Sequence, residues 1–171
     1  DLFLSAEYAR QDKRKVDNEN AWYLEAGWTF SAVAWSPKVN YRYSRFSDGY
    51  DPLFYGLNRG FGTWFQGEVA GNYAGPFNSN TRVHHVGASV TPLENLSVGA
   101  LWFDYDTLDN DLGDLSGREL DVYAQWGLTD NLMVIPLVGL YQPKNSADNG
   151  GTQLGSNDRN LYTQPVSYTH L

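Results

Sequence analysis

Ala21-Trp-Tyr-Leu-Glu-Ala-Gly-Trp-Thr-Phe30 carries an apolar residue at every second position. Trp22, Leu24, Ala26, Trp28 and Phe30 share one parity; Ala21, Tyr23, Glu25, Gly27 and Thr29 share the other. Successive side chains of a strand point to opposite faces, so this is a strand with one apolar and one mixed face. Arg118–Leu128 repeats the pattern, with Leu120, Val122, Ala124, Trp126 and Leu128 set against Glu119, Asp121, Tyr123, Gln125 and Gly127. No helical periodicity places five apolar residues in ten at strictly even spacing.

Working outward, further strands are expected at Leu2–Gln11, Lys38–Phe46, Thr63–Tyr73, His84–Thr91, Leu96–Trp102 and Leu132–Tyr141, with a last one opening at Asn160. That makes eight strands and the start of a ninth. Leu132–Tyr141 is apolar on both faces, which suits either packing against something inside or a soluble-type core strand. Its Pro136 points to an edge or a bulge.

Thr91-Pro-Leu-Glu-Asn95 and Thr129-Asp-Asn131 read as tight turns, whereas Asp104–Gly117 and Lys144–Asn160 read as long polar loops. Short turns at one end and long loops at the other are the outer-membrane barrel arrangement. Trp22, Trp28, Trp64, Trp102, Tyr105, Trp126 and Tyr141 cluster near strand ends, as interfacial girdles do. One conflict stands in this count. If the tight turns are periplasmic, Asp12–Glu19 falls on the periplasmic side, although it reads as an outer loop. An uncounted crossing between Ser47 and Gly75 would remove the conflict, and so would one mis-assigned turn.

Composition agrees with a membrane barrel. The 171 residues include no Cys, which excludes a disulfide scaffold, a Cys-ligated zinc site and a thiol nucleophile. The net charge of -8 excludes a broad nucleic-acid footprint. Six Trp, twelve Tyr and seventeen Gly accompany only 19% charged residues. Mean hydropathy is nonetheless low, at -0.49. No apolar run is long enough for a transmembrane helix. Alternating lipid-facing and lumen-facing residues produce this average.

Tyr41-Arg-Tyr-Ser-Arg-Phe46, Asp51-Pro-Leu-Phe-Tyr-Gly56, Gly62-Thr-Trp-Phe-Gln-Gly-Glu68 and Asn78-Ser-Asn80 resemble the carboxy-terminal half of the bacterial alginate export family. Asn160-Leu-Tyr-Thr-Gln164 is similar to the start of that family's closing strand. The resemblance implies an antiparallel transmembrane outer-membrane β-barrel of about eighteen strands, of which this chain holds eight to nine. Residues 1–164 would be the carboxy-terminal half. Residues 165–171 are expected to be a non-native tail, because Val166-Ser-Tyr-Thr-His-Leu171 is similar to a translated sequencing adapter. The resemblance also implies passage of an anionic polyuronate through a basic lumen. Outer-membrane lipid, the polysaccharide and periplasmic export components are then the expected partners, with no cofactor and no catalysis.

A polyanion in transit needs many weak, replaceable contacts, which rings of Arg or Lys supply. Lys38 and Arg42 share the polar face of their strand, so both are expected in the lumen. Arg59 is the next candidate. Arg45 has the opposite parity and is expected near the rim. The alternative role for these Arg is structural pairing with lumen carboxylates. Glu68, Glu119 and Asp121 are expected inward, together with Glu7 and Glu25. Tyr50–Gly62 is too apolar for a free loop and too Gly-rich for a lipid-facing strand. It is the candidate for the uncounted crossing or for a lumen constriction bearing Tyr50, Phe54, Tyr55 and Phe61. Asp109–Asp114 departs from the calcium-loop template at Gly113 and reads as a solvated loop. His84 and His85 face opposite sides and cannot share one site. Two rival functions are a general small-solute porin and a soluble β-sheet binding or structural module.

Overall fold

The alternating stretches form one antiparallel meander. The computed structural model describes residues 1–12, 18–51, 67–73, 78–146 and 156–169. The strands are β1 (Leu2–Gln11), β2 (Glu19–Thr29), β3 (Lys38–Phe46), β4 (Thr81–Leu93), β5 (Leu96–Thr107), β6 (Gly117–Thr129), β7 (Leu132–Pro143) and β8 (Asn160–Thr169). They pair in chain order as an eight-stranded sheet, and among the described residues β1 and β8 do not pair with each other. The strands run from 9 to 13 residues. About 9–11 tilted residues cross a bilayer core.

Register fixes the two faces. One cross-strand row reads Leu4, Ala26, Tyr41, Val86, Trp102, Leu120, Leu140 and Leu161, apolar at every strand. The next row on that face is Leu2, Trp28, Val39, Ala88, Ala100, Val122, Val138 and Thr163. All but Ala100 and Leu140 are exposed: Leu4 is 66% accessible, Val122 49% and Leu161 64%. A single outward Leu is ordinary, but an apolar row unbroken across eight strands, beside a second across seven, is not. The opposite face holds the buried residues, including Tyr23, Arg42, Val83, Phe103, Tyr105, Glu119, Asp121 and Tyr141.

The segment expected as a strand at Thr63–Tyr73 is not one. Glu68–Tyr73 forms a short helix, α1, on the buried face of the sheet, while 63–66 lie outside the described residues. This correction also removes the topological conflict. With one crossing fewer, the β1–β2, β3–β4, β5–β6 and β7–β8 connections share one end. The two-residue turns Glu94-Asn95 and Asp130-Asn131 share the other end with the Phe30–Pro37 connection. No uncounted crossing is needed among the described residues. The tight turns are tied together, since Gly127 N donates to Asn95 O at 2.9 Å and Asn95 Nδ2 to Gly127 O at 2.8 Å.

Two smaller corrections follow from register, one to the aromatic girdle and one at Pro136. Tyr105 and Tyr141 face inward with 0% exposure, so they are not girdle residues. Trp102 lies mid-strand on the outward face, and Trp64 is outside the described residues. β7 is interior rather than an edge. Around Pro136 its ladder to β6 skips from Tyr123↔Leu137 to Trp126↔Val134, as a residue without an N–H requires. The β7–β8 ladder continues past Gln164 to Leu132↔Thr169.

The remaining aromatics do mark two levels on the outward face. Trp22, Tyr43 and His84 cluster near the long-connection end, with ring centroids 5.2 Å apart for the tilted Trp22–Tyr43 pair and 4.9 Å for the edge-to-face Tyr43–His84 pair. Trp28 and Phe30 pair near the other end at 6.5 Å. Six residues separate Trp22 from Trp28 along β2, about 20 Å of strand.

Candidate functional site

The inward face divides into two regions. Toward the long connections, Val69 and Ala70 of α1 pack with Val83, Phe103, Tyr105 and Tyr141 in one buried cluster. A second cluster joins Ala21, Tyr23 and Phe46, with Tyr50 packed against it. Toward the tight turns, the face is hollow, and charged and polar side chains meet Phe3, Leu101 and Tyr123 there.

α1 is held by its seat rather than by its own propensity. It has one and a half turns, too few to be stable alone. Its first backbone N–H groups have no partners inside the helix. Glu119 of β6 supplies them: Val69 N donates to Glu119 Oε1 at 3.0 Å and Ala70 N to Glu119 Oε2 at 2.5 Å. Tyr105 Oη donates to the same carboxylate at 3.4 Å. Gly67, just before α1, has φ of +99°, and a Cβ there would stand 1.7 Å from Tyr105 Oη. Gly139 of β7 makes the remaining room, since a Cβ there would stand 2.2 Å from Val69 Cγ2 and 2.5 Å from Asp121 Oδ1. Glycine in a strand interior marks such close approach.

β7 is apolar on both faces for this reason. Ile135, Leu137 and Tyr141 are buried on the inward face that α1 joins, while Val138 faces out. Glu119→Ala would leave the α1 amides buried without acceptors, at a cost of about 2 kcal/mol. Faster amide exchange at Val69 and Ala70, with the β6–β7 ladder still protected, is the expected result.

The hollow region is a recess of about 390 Å³ spanning β1 to β6. Lys38, Asn40 and Arg42 of β3 line it, as do Glu25 of β2, His85 of β4 and Tyr123 of β6. Glu25, Arg42 and His85 stand in one cross-strand row. Arg42 Nη1 lies 3.9 Å from Glu25 Oε2, with side-chain exposures of 6% and 9%. Asn40 Nδ2 donates to the other carboxylate oxygen, Glu25 Oε1, at 2.7 Å. His85 stacks on Phe103 at 4.7 Å, and neither ring nitrogen has a hydrogen-bond partner among the described residues. Lys38 is exposed at the tight-turn end and makes no ion pair among the described residues.

The expected site residues therefore fall in distinct places. Lys38 and Arg42 share the recess, as their parity requires. Glu119 and Asp121 are on the inward face but lie beneath α1, together with Glu68 at its start. Arg45 is outward at the rim. Tyr50 packs on Phe46 with ring centroids 5.9 Å apart, while Arg59, Phe54, Tyr55 and Phe61 lie outside the described residues. Sequence reasoning missed the seat of α1. Its signals were Gly139 and the two-sided apolar character of β7. His84 and His85 do face opposite sides, with His84 Nδ1 2.7 Å from Tyr41 Oη on the outward face.

The long connections are tethered to one another. Asp114 Oδ1 accepts from Ser116 N at 2.9 Å, and Asp114 Oδ2 accepts from Asn145 Nδ2 at 2.5 Å. Partial burial opposes ionisation of Asp114, but the hydrogen bonds from Ser116 and Asn145 outweigh it and hold the carboxyl below the ordinary 3.8. A depressed carboxyl adds stability above the unfolded value, and that stability is lost as pH falls through the folded one. The tether should therefore persist at pH 3.8 and fail only on further acidification. An NMR titration of the Ser116 amide with a midpoint below 3.8 is the expected outcome. Partial burial also opposes the charge on Lys144, yet its bonds to Asp106 and Asp104 raise it above the ordinary 10.5. That contact is complete below 10.5 and is lost as pH rises through the raised value.

No family model, no curated protein and no solved structure matches this chain.

Proposed function

We propose that this sheet is part of the wall of an outer-membrane β-barrel that passes a polar, anionic polysaccharide. The observation that carries the proposal is the division of faces. One apolar row runs unbroken across the outward face and a second runs from β1 to β7, while the inward face combines a recess holding charged and polar side chains with a docked segment of the β3–β4 connection. A lipid-facing wall and a polar lumen have this alternation. The resemblance of Tyr41–Glu68 to the alginate export family supports a polyuronate as cargo. Lys38 and Arg42 would offer carboxylates replaceable contacts, and α1 would narrow the path beside them. No covalent step is involved.

The Arg42–Glu25 pair favours a second reading. A guanidinium already facing a buried carboxylate attracts a passing anion less, which suits a general small-solute porin. A soluble module is disfavoured by the exposed apolar rows.

Planar-bilayer conductance of the intact barrel distinguishes these readings. Anion-selective current blocked by uronate oligomers is the expected result. Lys38→Gln should weaken the block about fivefold, the effect of one lost charge contact of about 1 kcal/mol. Unselective or cation-selective current without block would leave a general porin. No channel in any lipid would return the sheet to a binding or structural role.

A further inference from the structure

At the long-connection end, the outward face changes chemistry. Beside the aromatics, Arg45 and Arg82 stand in the cross-strand row of Trp22, Arg118 stands in the row of Tyr43 and His84, and Lys144 follows the end of β7. Arg45 stands directly opposite Arg82 in the β3–β4 register. Like charges directly opposite are destabilising unless something lies between or beside them. Among the described residues, two carboxylates pair with this group, Asp104 and Asp106. Arg82 Nε lies 3.2 Å from Asp106 Oδ2, and Arg118 Nε lies 3.5 Å from Asp104 Oδ1. Lys144 Nζ takes the other share of both, 2.9 Å from Asp104 Oδ1 and 2.8 Å from Asp106 Oδ1. Arg45 makes no ion pair among the described residues. The belt therefore keeps excess positive charge on a chain whose net charge is -8. The side chains of Arg82 and Arg118 are 50% and 66% exposed.

The belt is continuous with an apolar groove. A depression of about 250 Å³ on this face is lined by Arg118 and Arg159 with Gln142, Trp102, Leu120 and Leu140, and by Glu119, whose carboxylate is turned to the α1 amides on the opposite face. It is basic at one end and apolar along its floor. The other end of the outward face has no counterpart. There Trp28, Phe30, Trp126 and Leu128 are exposed, and no described outward side chain is basic.

We propose that this belt seats the anionic phosphate of a membrane lipid, in the leaflet on the long-connection side, with an acyl chain of that lipid in the Trp102–Leu120–Leu140 groove. Arginine pairs with phosphate through two parallel N–H donors, and the groove supplies the apolar half of an amphiphile's seat. A lipid fits both halves, whereas a free phosphate would use only the belt. The inference rests on the membrane reading above.

The test reconstitutes the intact protein in phosphatidylcholine vesicles containing a minor share of chain-brominated lipid. The brominated lipid is either phosphatidic acid or phosphatidylcholine, with the same chains. Bromine quenches nearby tryptophan, and Trp102→Phe identifies the share that comes from the groove. Stronger quenching by the phosphatidic acid is expected, persisting in excess inorganic phosphate. Arg45→Gln, Arg82→Gln and Arg118→Gln should each reduce the preference roughly fivefold, the effect of one basic residue at an anionic surface. Insertion is read separately by protease protection of the sheet. Insertion with equal quenching by the two lipids would overturn this inference and leave the membrane wall standing. Loss of the preference in inorganic phosphate would overturn the lipid as occupant. A protein that inserts into no vesicle would overturn the membrane reading and this inference with it.

Discussion

Val122→Arg should destabilise the sheet in a bilayer by about 2–4 kcal/mol, the cost of a cation near the midplane of a lipid-facing strand. Val122 sits on β6 between Ala100 and Val138, inside one of the two apolar rows. In water the same change at a position 49% exposed would alter stability by no more than about 0.5 kcal/mol. The two environments therefore predict different outcomes for one substitution. Urea titration of the reconstituted protein, followed by tryptophan fluorescence, measures the difference. A shift in midpoint comparable to a surface change would contradict the lipid-facing assignment. Tyr123→Arg, one residue further along and on the inward face, should cost less in the bilayer. Its side chain borders the recess rather than the apolar rows.

Arg42→Ala should cost about 3 kcal/mol, because it leaves Glu25 as a buried charge without its cation. Asn40 would still donate to that carboxylate, which keeps the loss from growing larger. Replacing both partners, with Glu25→Gln and Arg42→Met, removes the uncompensated charge and should recover most of the stability. A double-mutant cycle by denaturant titration measures the coupling. Independent, additive effects would show that the 3.9 Å approach contributes little and that Arg42 is held by other contacts. In either case, Arg42→Ala alone cannot report the charge of the recess cleanly. Lys38→Gln can, because Lys38 is exposed and forms no ion pair among the described residues.

Most of the sheet was legible because a half-exposed strand writes its faces into the sequence. β2 and β6 alternate without a fault, so their inward and outward sets could be named residue by residue. Lys38, Arg42 and Arg45 followed from parity alone. α1 was not legible, for a specific reason. Phe65, Val69 and Tyr73 are four residues apart, and that spacing satisfies a strand and a helix equally. Six residues containing Gly71 and Asn72 carry no helical signal strong enough to decide. What decides is Glu119, about fifty residues away, and no local pattern contains it. The Arg42–Glu25 pair was hidden in the same way. Parity shows that both point inward, but only the β2–β3 register makes them opposite. The mistaken strand then distorted the topology, since one false crossing inverts every later connection.

The distance in sequence between α1 and its seat sets an order of assembly. Val69 and the carboxylate that holds it are 50 residues apart, and the Gly139 gap into which Val69 fits is 70 residues on. The seat is complete only when β5, β6 and β7 have paired, and those pairings are between chain neighbours. Local hairpins close quickly, whereas a contact across a long loop waits for both of its sides. The wall therefore forms first and the inner segment docks last. Until then the segment's apolar residues and the polar edges of its seat both face water. The strands that come late in the chain thus govern the moment at which an earlier segment finds its place.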